Sequence, residues 1–309
     1  DDDSAGAEKG HHGLWVTGFA AGFVDDPSNY IDSATATNVR GVNSTSNVVM
    51  VDVGKPMMSE VSPGVYITKL VITDVLRGIK TAINKGAKIV NVSIGADTAS
   101  CKDDVCKIKR QKEFRLSNIG ALEIARKNKS LVVFAAGNDY LKTDNELFTD
   151  TEDEYSALWR AYSIVVGAST NSPKLTDVDF SRMGSVVDLL APGDNIGFSQ
   201  AGVDVIVSSH TGRGTSYAAP LVTGAGSLLY SLNGSLLPPE TKHIITSSAG
   251  ETVDTTYSPK KHLDVDAAIR SAKLLDHISL SELPIVKFTS KDQKKSVDLP
   301  VTIPTSGVS

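Results

Sequence analysis

A serine, an asparagine and a histidine stand in surroundings that could turn each into a reactive or charge-stabilising group. Ser216 lies in Gly214-Thr215-Ser216-Tyr217-Ala218-Ala219-Pro220, at the head of a stretch to Leu232 that carries no charge and is rich in small residues. Such a stretch reads as a helix packed on every side. Pro220 is tolerable only in a first turn, where its missing N–H is not needed, so the helix is expected to begin close to Ser216. A helix N-terminus offers unpaired N–H groups and partial positive charge, which favour an oxyanion formed beside that serine. The bland reading of the same segment is a Thr-Ser cap on a core helix. Leu131-Val132-Val133-Phe134-Ala135-Ala136-Gly137-Asn138 reads as a buried strand ending in a glycine and an amide. Asn138 could donate a hydrogen bond from the strand's carboxyl end, or it could be ordinary turn chemistry. His12, in Gly10-His11-His12-Gly13, precedes a small-residue helix and by itself is as much a surface or capping histidine as a base.

The elements that would position these groups alternate between strand and helix. Val48–Val53, Ala87–Ser93, Leu131–Ala135, Ser163–Ala168 and Val187–Ala191 read as strands. Ile72, Val75, Leu76, Ile79, Ala82 and Ile83 keep helical spacing up to Gly86, and Leu116, Ile119, Leu122 and Ala125 do so before Asn128. The pattern predicts an α/β fold, a three-layer parallel sheet with helices on both faces, whose sites gather at the carboxyl ends of the strands. After Leu275 the pattern changes to apolar-polar alternation with prolines. Residues 1–275 are therefore read as one domain and 276–309 as a β-rich or linker extension.

Together the three segments resemble the subtilisin-like serine proteases, the subtilase family. The family's histidine motif is matched by His12-Gly13-Leu14-Trp15-Val16-Thr17-Gly18, its oxyanion motif by Ala135-Ala136-Gly137-Asn138, and its nucleophile motif by Gly214 to Gly224. Asn91-Val92-Ser93-Ile94-Gly95 resembles the substrate-pairing strand, Asp188-Leu189-Leu190-Ala191-Pro192-Gly193 a later strand, and Leu263 to Ala268 the closing helix. The resemblance implies a serine endopeptidase acting on a polypeptide through an acyl-enzyme: Ser216 as nucleophile, His12 as base and acid, Asn138 as oxyanion donor. Ser93, Ile94 and Gly95 would pair with the substrate backbone, while Ala135, Ala136 and Gly137 would wall the pocket for the residue before the cut.

The family also places a triad aspartate in a D-[ST]-G motif, well ahead of the histidine. Asp3-Ser4-Ala5-Gly6 has that outline, but no apolar strand precedes it, and Asp1-Asp2-Asp3 is read as an acidic loop before the histidine motif. The orienting acid is thus expected in an upstream segment, a pro-segment or a cleaved N-terminal fragment being a candidate partner. The alternative function is a pseudoprotease or peptide-binding scaffold with little hydrolysis.

The formal charge of −5 over 309 residues gives no reason to expect nucleic acid. Lys107, Lys109, Arg110, Lys112 and Arg115 are interspersed with acids and read as a solvated helix face. Asp139, Asp144, Glu146, Asp150, Glu152, Asp153 and Glu154 follow the oxyanion strand, either as a solvated loop or as a field drawing basic peptides to the groove. No apolar stretch reaches transmembrane length, and the acidic start is not a signal peptide, so a leader for export would lie upstream. Cys101 and Cys106 are either a disulfide, which leans toward an extracytoplasmic location, or two free thiols. No cofactor is required for the chemistry; the resemblance allows structural calcium, with no ligands assigned. Trp15 either narrows the site beside His12 or packs in the core.

Overall fold

The computed structural model describes residues 12–21, 41–51, 53, 58–62, 65–68, 72–96, 98, 100–140, 154–170, 176, 178–194, 196–199, 209–250, 252–253, 260–275, 285–289 and 296–300. In chain order these form α1 (His12–Ala21), the antiparallel pair β1 (Met58–Ser62) and β2 (Val65–Thr68), α2 (Ile72–Asn84), β3 (Ile89–Val92), α3 (Asp104–Ser117) and α4 (Ile119–Asn128). Then come β4 (Leu131–Ala135), α5 (Glu154–Tyr162), β5 (Ser163–Thr170), β6 (Leu189–Asp194) and the antiparallel pair β7 (Ile196–Ser199) and β8 (Ser209–Gly212). The remainder is α6 (Thr215–Leu232), α7 (Pro238–Ser248), the short pair β9 (Thr252–Val253) and β10 (Lys260–Lys261), α8 (Val265–Leu275), and the pair β11 (Ile285–Thr289) and β12 (Ser296–Pro300).

Strands β3, β4, β5 and β6 make one parallel sheet in that order, with Val90 opposite Val132, Val133 opposite Ile164 and Val166 opposite Leu189. A strand covered on both faces must be apolar at successive positions, and β4 is. Val132 and Phe134 enter a core with Val75 and Ile79 of α2, Leu122 of α4 and Trp159 of α5. Leu131 and Val133 enter a second core with Ala219 and Val222 of α6, Ile245 of α7 and Ala268 of α8. This is the expected layering of helices on both faces of a parallel sheet.

Small residues let α6 sit at the centre. A Cβ added at Gly224 would lie 2.7 Å from the Ala20 carbonyl oxygen of α1 and 2.5 Å from Val42 Cβ, while one at Gly226 would lie 2.5 Å from Ile89 Cδ1 of β3. Two sides of one helix thus depend on missing side chains for close approach. Segment 41–43 packs against the end of α1, with Val42 N–H donating to Phe19 O at 3.0 Å and Asn43 N–H to Ala20 O at 2.9 Å.

Four expectations need correction. Residues 48–51 form no strand: Val48, Val49 and Met50 are 48%, 45% and 55% exposed, and β-prone side chains make a strand only with a ladder partner, which none of the described strands provides. Leu116 belongs to α3, where it is exposed, and not to the apolar face of α4, because Asn118 separates the two helices and donates from its amide to Phe114 O at 2.8 Å. Arg115 does not join the solvated basic face, since it is 5% exposed with its guanidinium 5.6 Å from the centre of the Trp159 ring. Helix α6 begins at Thr215, so Pro220 is its sixth residue and lies beyond the first turn. Cys101 and Cys106 form a disulfide, with Asp103 between them capping α3 by accepting from Cys106 N–H at 2.8 Å. Past Leu275 the described residues are β11 and β12, which pair with each other.

The packing of α6 has a direct test in two glycine substitutions. Gly224→Ala forces α1 and segment 41–43 away from α6 and is expected to destabilise by about 1–3 kcal/mol, the usual cost of overfilling a packed contact. Gly18→Ala, at a helical position with nothing within 4 Å of the added Cβ, should be neutral or stabilise by up to about 1 kcal/mol through helix propensity. Thermal unfolding followed by circular dichroism separates the two, and equal shifts would show that the close approach is unimportant.

Candidate active site

The start of α6 is fastened to the ends of three strands. Gly214 N–H donates to Gly193 O at 2.7 Å, tying the residue before the helix to the end of β6. Gly193 has no room for a side chain there, since a Cβ would fall 2.6 Å from Ala168 Cβ and 2.9 Å from Gly214 O. Because Pro220 has no N–H, the Ser216 carbonyl lacks its partner within the helix. Ser93, just past β3, supplies one: its hydroxyl donates to Ser216 O at 2.8 Å. Ser93 Oγ in turn accepts from Asn91 Nδ2 at 2.9 Å, and Asn91 Oδ1 accepts from Thr223 Oγ1 at 3.1 Å. A relay of hydrogen bonds therefore runs from the middle of α6 through β3 and back to the Ser216 carbonyl.

Asn138 follows β4 after Gly137, whose φ of 115° is the region that glycine enters without strain. Thr215 fixes the amide. Its N–H and its hydroxyl both donate to Asn138 Oδ1 at 2.9 Å, and its Oγ1 accepts from Gly137 N–H at 3.1 Å. With the oxygen end so occupied, the nitrogen end is turned toward Ser216. A Cβ built on Gly214 would lie 3.1 Å from Ser216 Oγ and 3.2 Å from Asn138 Nδ2. Hydroxyl and amide thus flank one face of Gly214, each about 3 Å from the position its Cβ would take.

His12 is the first residue of α1, and its ring meets the Tyr217 ring edge-on with centroids 5.8 Å apart, next to Ser216 in sequence. Phe19 contacts Tyr217 from its other side at 5.7 Å. His12 therefore stands at the same end of α6 as Ser216 and Asn138, in ring contact with Tyr217. Of the remaining positions, Ile94 is half-buried against the α2 side of the core, Gly95 is exposed, and Ala135 packs on the α6 side. Ala136 is buried on the α2 side, with its N–H donating to Val166 O at 2.9 Å. The Trp15 side chain and residues 1–11 lie outside the described residues.

Beneath the oxyanion turn lies a buried charge cluster. Asp139 and Arg182, 5% and 1% exposed, are joined by Arg182 Nη1 donating to Asp139 Oδ2 at 3.1 Å, and Gln111 Nε2 donates to the same oxygen at 3.2 Å. Burial, more than any partner, pushes both neighbouring guanidiniums down, Arg115 to about 9 and Arg182 below its ordinary value against the pull of Asp139. Asp139 is buried and ion-paired with Arg182 and so is not part of a field at the groove; Asp144, Glu146, Asp150, Glu152 and Asp153 lie outside the described residues. Among the described residues no group of three or more His, Cys, Asp or Glu could hold a metal ion, so no calcium ligands are assigned.

Sequence reading missed Thr215, Gly214, Asn91 and the Asp139–Arg182 pair. Thr215 carried a signal, since a hydroxyl beside the nucleophile at a helix start invites a bond to a facing amide. Arg182 carried none, because its partner is 43 positions away.

Comparison with known proteins places the chain in a family. The subtilase family profile matches residues 1–268. The major intracellular serine protease of Bacillus subtilis is 31% identical over 159 residues, 51% of this chain and 41% of that protein. Subtilisin-like protease 2 of Pseudogymnoascus destructans is 30% identical over 165 residues, 53% of this chain and 38% of that protein. The chain thus spans about two fifths of the length of these curated relatives. Among solved structures, the protease domain of PatA aligns with a TM-score of 0.58 and 22% identity over 86% of this chain and 82% of its own. A protease from Pseudoalteromonas arctica aligns with a TM-score of 0.56 and 23% identity, covering 84% of this chain and 70% of its own. Fold and family profile coincide, and the chain belongs to the subtilase family.

Proposed function

We propose that this chain is the catalytic part of a serine endopeptidase that hydrolyses polypeptides through an acyl-enzyme on Ser216. The observation that carries this reading is that Ser216 Oγ and Asn138 Nδ2 flank one face of Gly214, 3.1 Å and 3.2 Å from the position its Cβ would take. His12 takes the Ser216 proton as the hydroxyl attacks the scissile carbonyl, and returns it to the leaving amine. Asn138 Nδ2 and the Ser216 N–H receive the negative charge that develops on the carbonyl oxygen. The carboxylate that orients the imidazole comes from outside the described residues. A scaffold that binds peptides without hydrolysis has no observation in its favour.

The substrate strand runs along Ser93, Ile94 and Gly95, and the residue before the cut meets Ala135, Ala136 and Gly137. This slot is narrow. A Cβ on Gly95 would lie 4.0 Å from Gly137 Cα, and one on Gly137 would lie 3.0 Å from Gln111 Nε2. Such spacing favours a small residue before the scissile bond. The disulfide of Cys101 with Cys106 fits an oxidising, extracytoplasmic location, with a pro-segment as partner during maturation. No described helix is long and apolar enough to cross a membrane.

Two experiments follow. In the full-length protein a fluorophosphonate probe should label Ser216, with labelling abolished by Ser216→Ala; Asn138→Leu should lower kcat by roughly 100- to 1,000-fold while KM stays near its original value. Persistent labelling of the alanine variant would overturn the nucleophile assignment. Profiling with a peptide library should show glycine, alanine or serine preferred before the cut, and Gln111→Ala should raise kcat/KM for leucine or phenylalanine relative to alanine by about tenfold or more, the discrimination that methylene-scale changes in a pocket give. A wild-type preference for large aromatic residues would rule the narrow slot out.

A further inference from the structure

We propose that Asp139 and Arg182 are positioning residues for the oxyanion donor, a buried strut that sets where the Asn138 amide stands; the inference rests on the protease reading above. Arg182 holds the residues on both sides of Asn138. Its backbone N–H donates to Gly137 O at 3.0 Å, and its Nη1 donates to the Asp139 carboxylate at 3.1 Å. Tyr140, at a φ of 58°, donates its N–H to Phe180 O at 3.1 Å, so the turn is fastened to segment 180–182 at three successive points around Asn138. Gln111 approaches from α3 and adds a second donor to Asp139 Oδ2.

Energetics argue that the pair serves geometry. Both groups are almost wholly buried, and Arg182 Nε has no hydrogen-bond partner among the described residues. A buried pair of this kind is often no more stabilising than apolar groups of equal volume, because desolvation offsets the attraction. What an apolar replacement would lack is the directional link between residue 139 and residue 182. Thr215 already fixes the amide oxygen of Asn138, so the amide plane is determined only if its backbone is also fixed, and that is the strut's part. An oxyanion donor misplaced by a fraction of an ångström loses most of its effect in the transition state and little in the ground state.

The test combines kinetics with a spectroscopic readout in the full-length protein. The charge-neutral pair Asp139→Asn with Arg182→Met avoids leaving a lone buried charge and should remain folded. It should lower kcat by about ten- to a hundredfold, with KM changed less than about twofold. In an Asn138→Ala background the same substitutions should cost nothing further, because they act only through Asn138. Arg182→Lys, which keeps the cation, should retain more kcat than Arg182→Met. Independently of activity, the side-chain amide resonance of Asn138, assigned by its loss in Asn138→Asp, should be sharp in the parent and broadened or averaged in the paired variant. Equal kcat losses with and without Asn138, or an unchanged amide resonance, would overturn the strut. If the parent hydrolyses no peptide, the protease reading fails instead, and the amide resonance alone decides the strut.

Discussion

Pro220 cannot donate a hydrogen bond to the Ser216 carbonyl, and the placement of Ser216 follows from that deficit. Within an ordinary helix the second residue's carbonyl is bonded from four residues on, and its position depends on the helix alone. Here the partner is Ser93, at the end of a neighbouring strand, so the nucleophile takes its position from the sheet. The same logic holds for the two residues before it: Thr215 is bonded to Asn138 beyond β4, and Gly214 to Gly193 at β6. Three consecutive residues are each anchored to a different strand. Reactive geometry in this chain is therefore a property of the sheet's carboxyl edge, with the helix as the part held against it.

Such anchoring demands that α6 approach the sheet and α1 more closely than side chains normally allow. Gly193, Gly224 and Gly226 are where contacts would fail first, since an added Cβ at each meets another atom at under 3 Å. A helix with large apolar residues would be better buried by area, but it would stand further from Ser93 and Asn138. Small residues give up some buried surface in exchange for short polar links. Thr223 shows the same arrangement in mid-helix, with its hydroxyl donating to Ala219 O at 3.1 Å and reaching Asn91 as well.

Much of this was legible in the residues themselves. Strand β4 and helix α6 carry strong local patterns, an unbroken apolar run and an uncharged small-residue run, and their observed limits match those read from sequence to within a residue. His12, Asn138 and Ser216 could be grouped because their motifs are local. What failed was non-local. Val48 to Val53 has strand composition, yet strand formation needs a pairing partner, which composition does not report. Arg115 sits in a run of solvated cations and is buried because Trp159, 44 positions on, offers its ring face. Asp139 looked like one more acid in an acidic insertion until its guanidinium partner was located. Pairings across the sheet leave no trace in periodicity, and the site is assembled from such pairings.

Gly214 marks how narrow the border is between an enzyme and a mere receptor for peptides. One methyl group at this position would stand 3.1 Å from Ser216 Oγ and 3.2 Å from Asn138 Nδ2, so hydroxyl and amide would have to give by a few tenths of an ångström although histidine, serine and asparagine all remain in the chain. A lineage could abandon hydrolysis through a single carbon atom and still display every residue by which a protease is recognised. For chains of this fold, inventorying reactive side chains is therefore an incomplete census of competence, and the vacancy at the glycine belongs on the roll beside them.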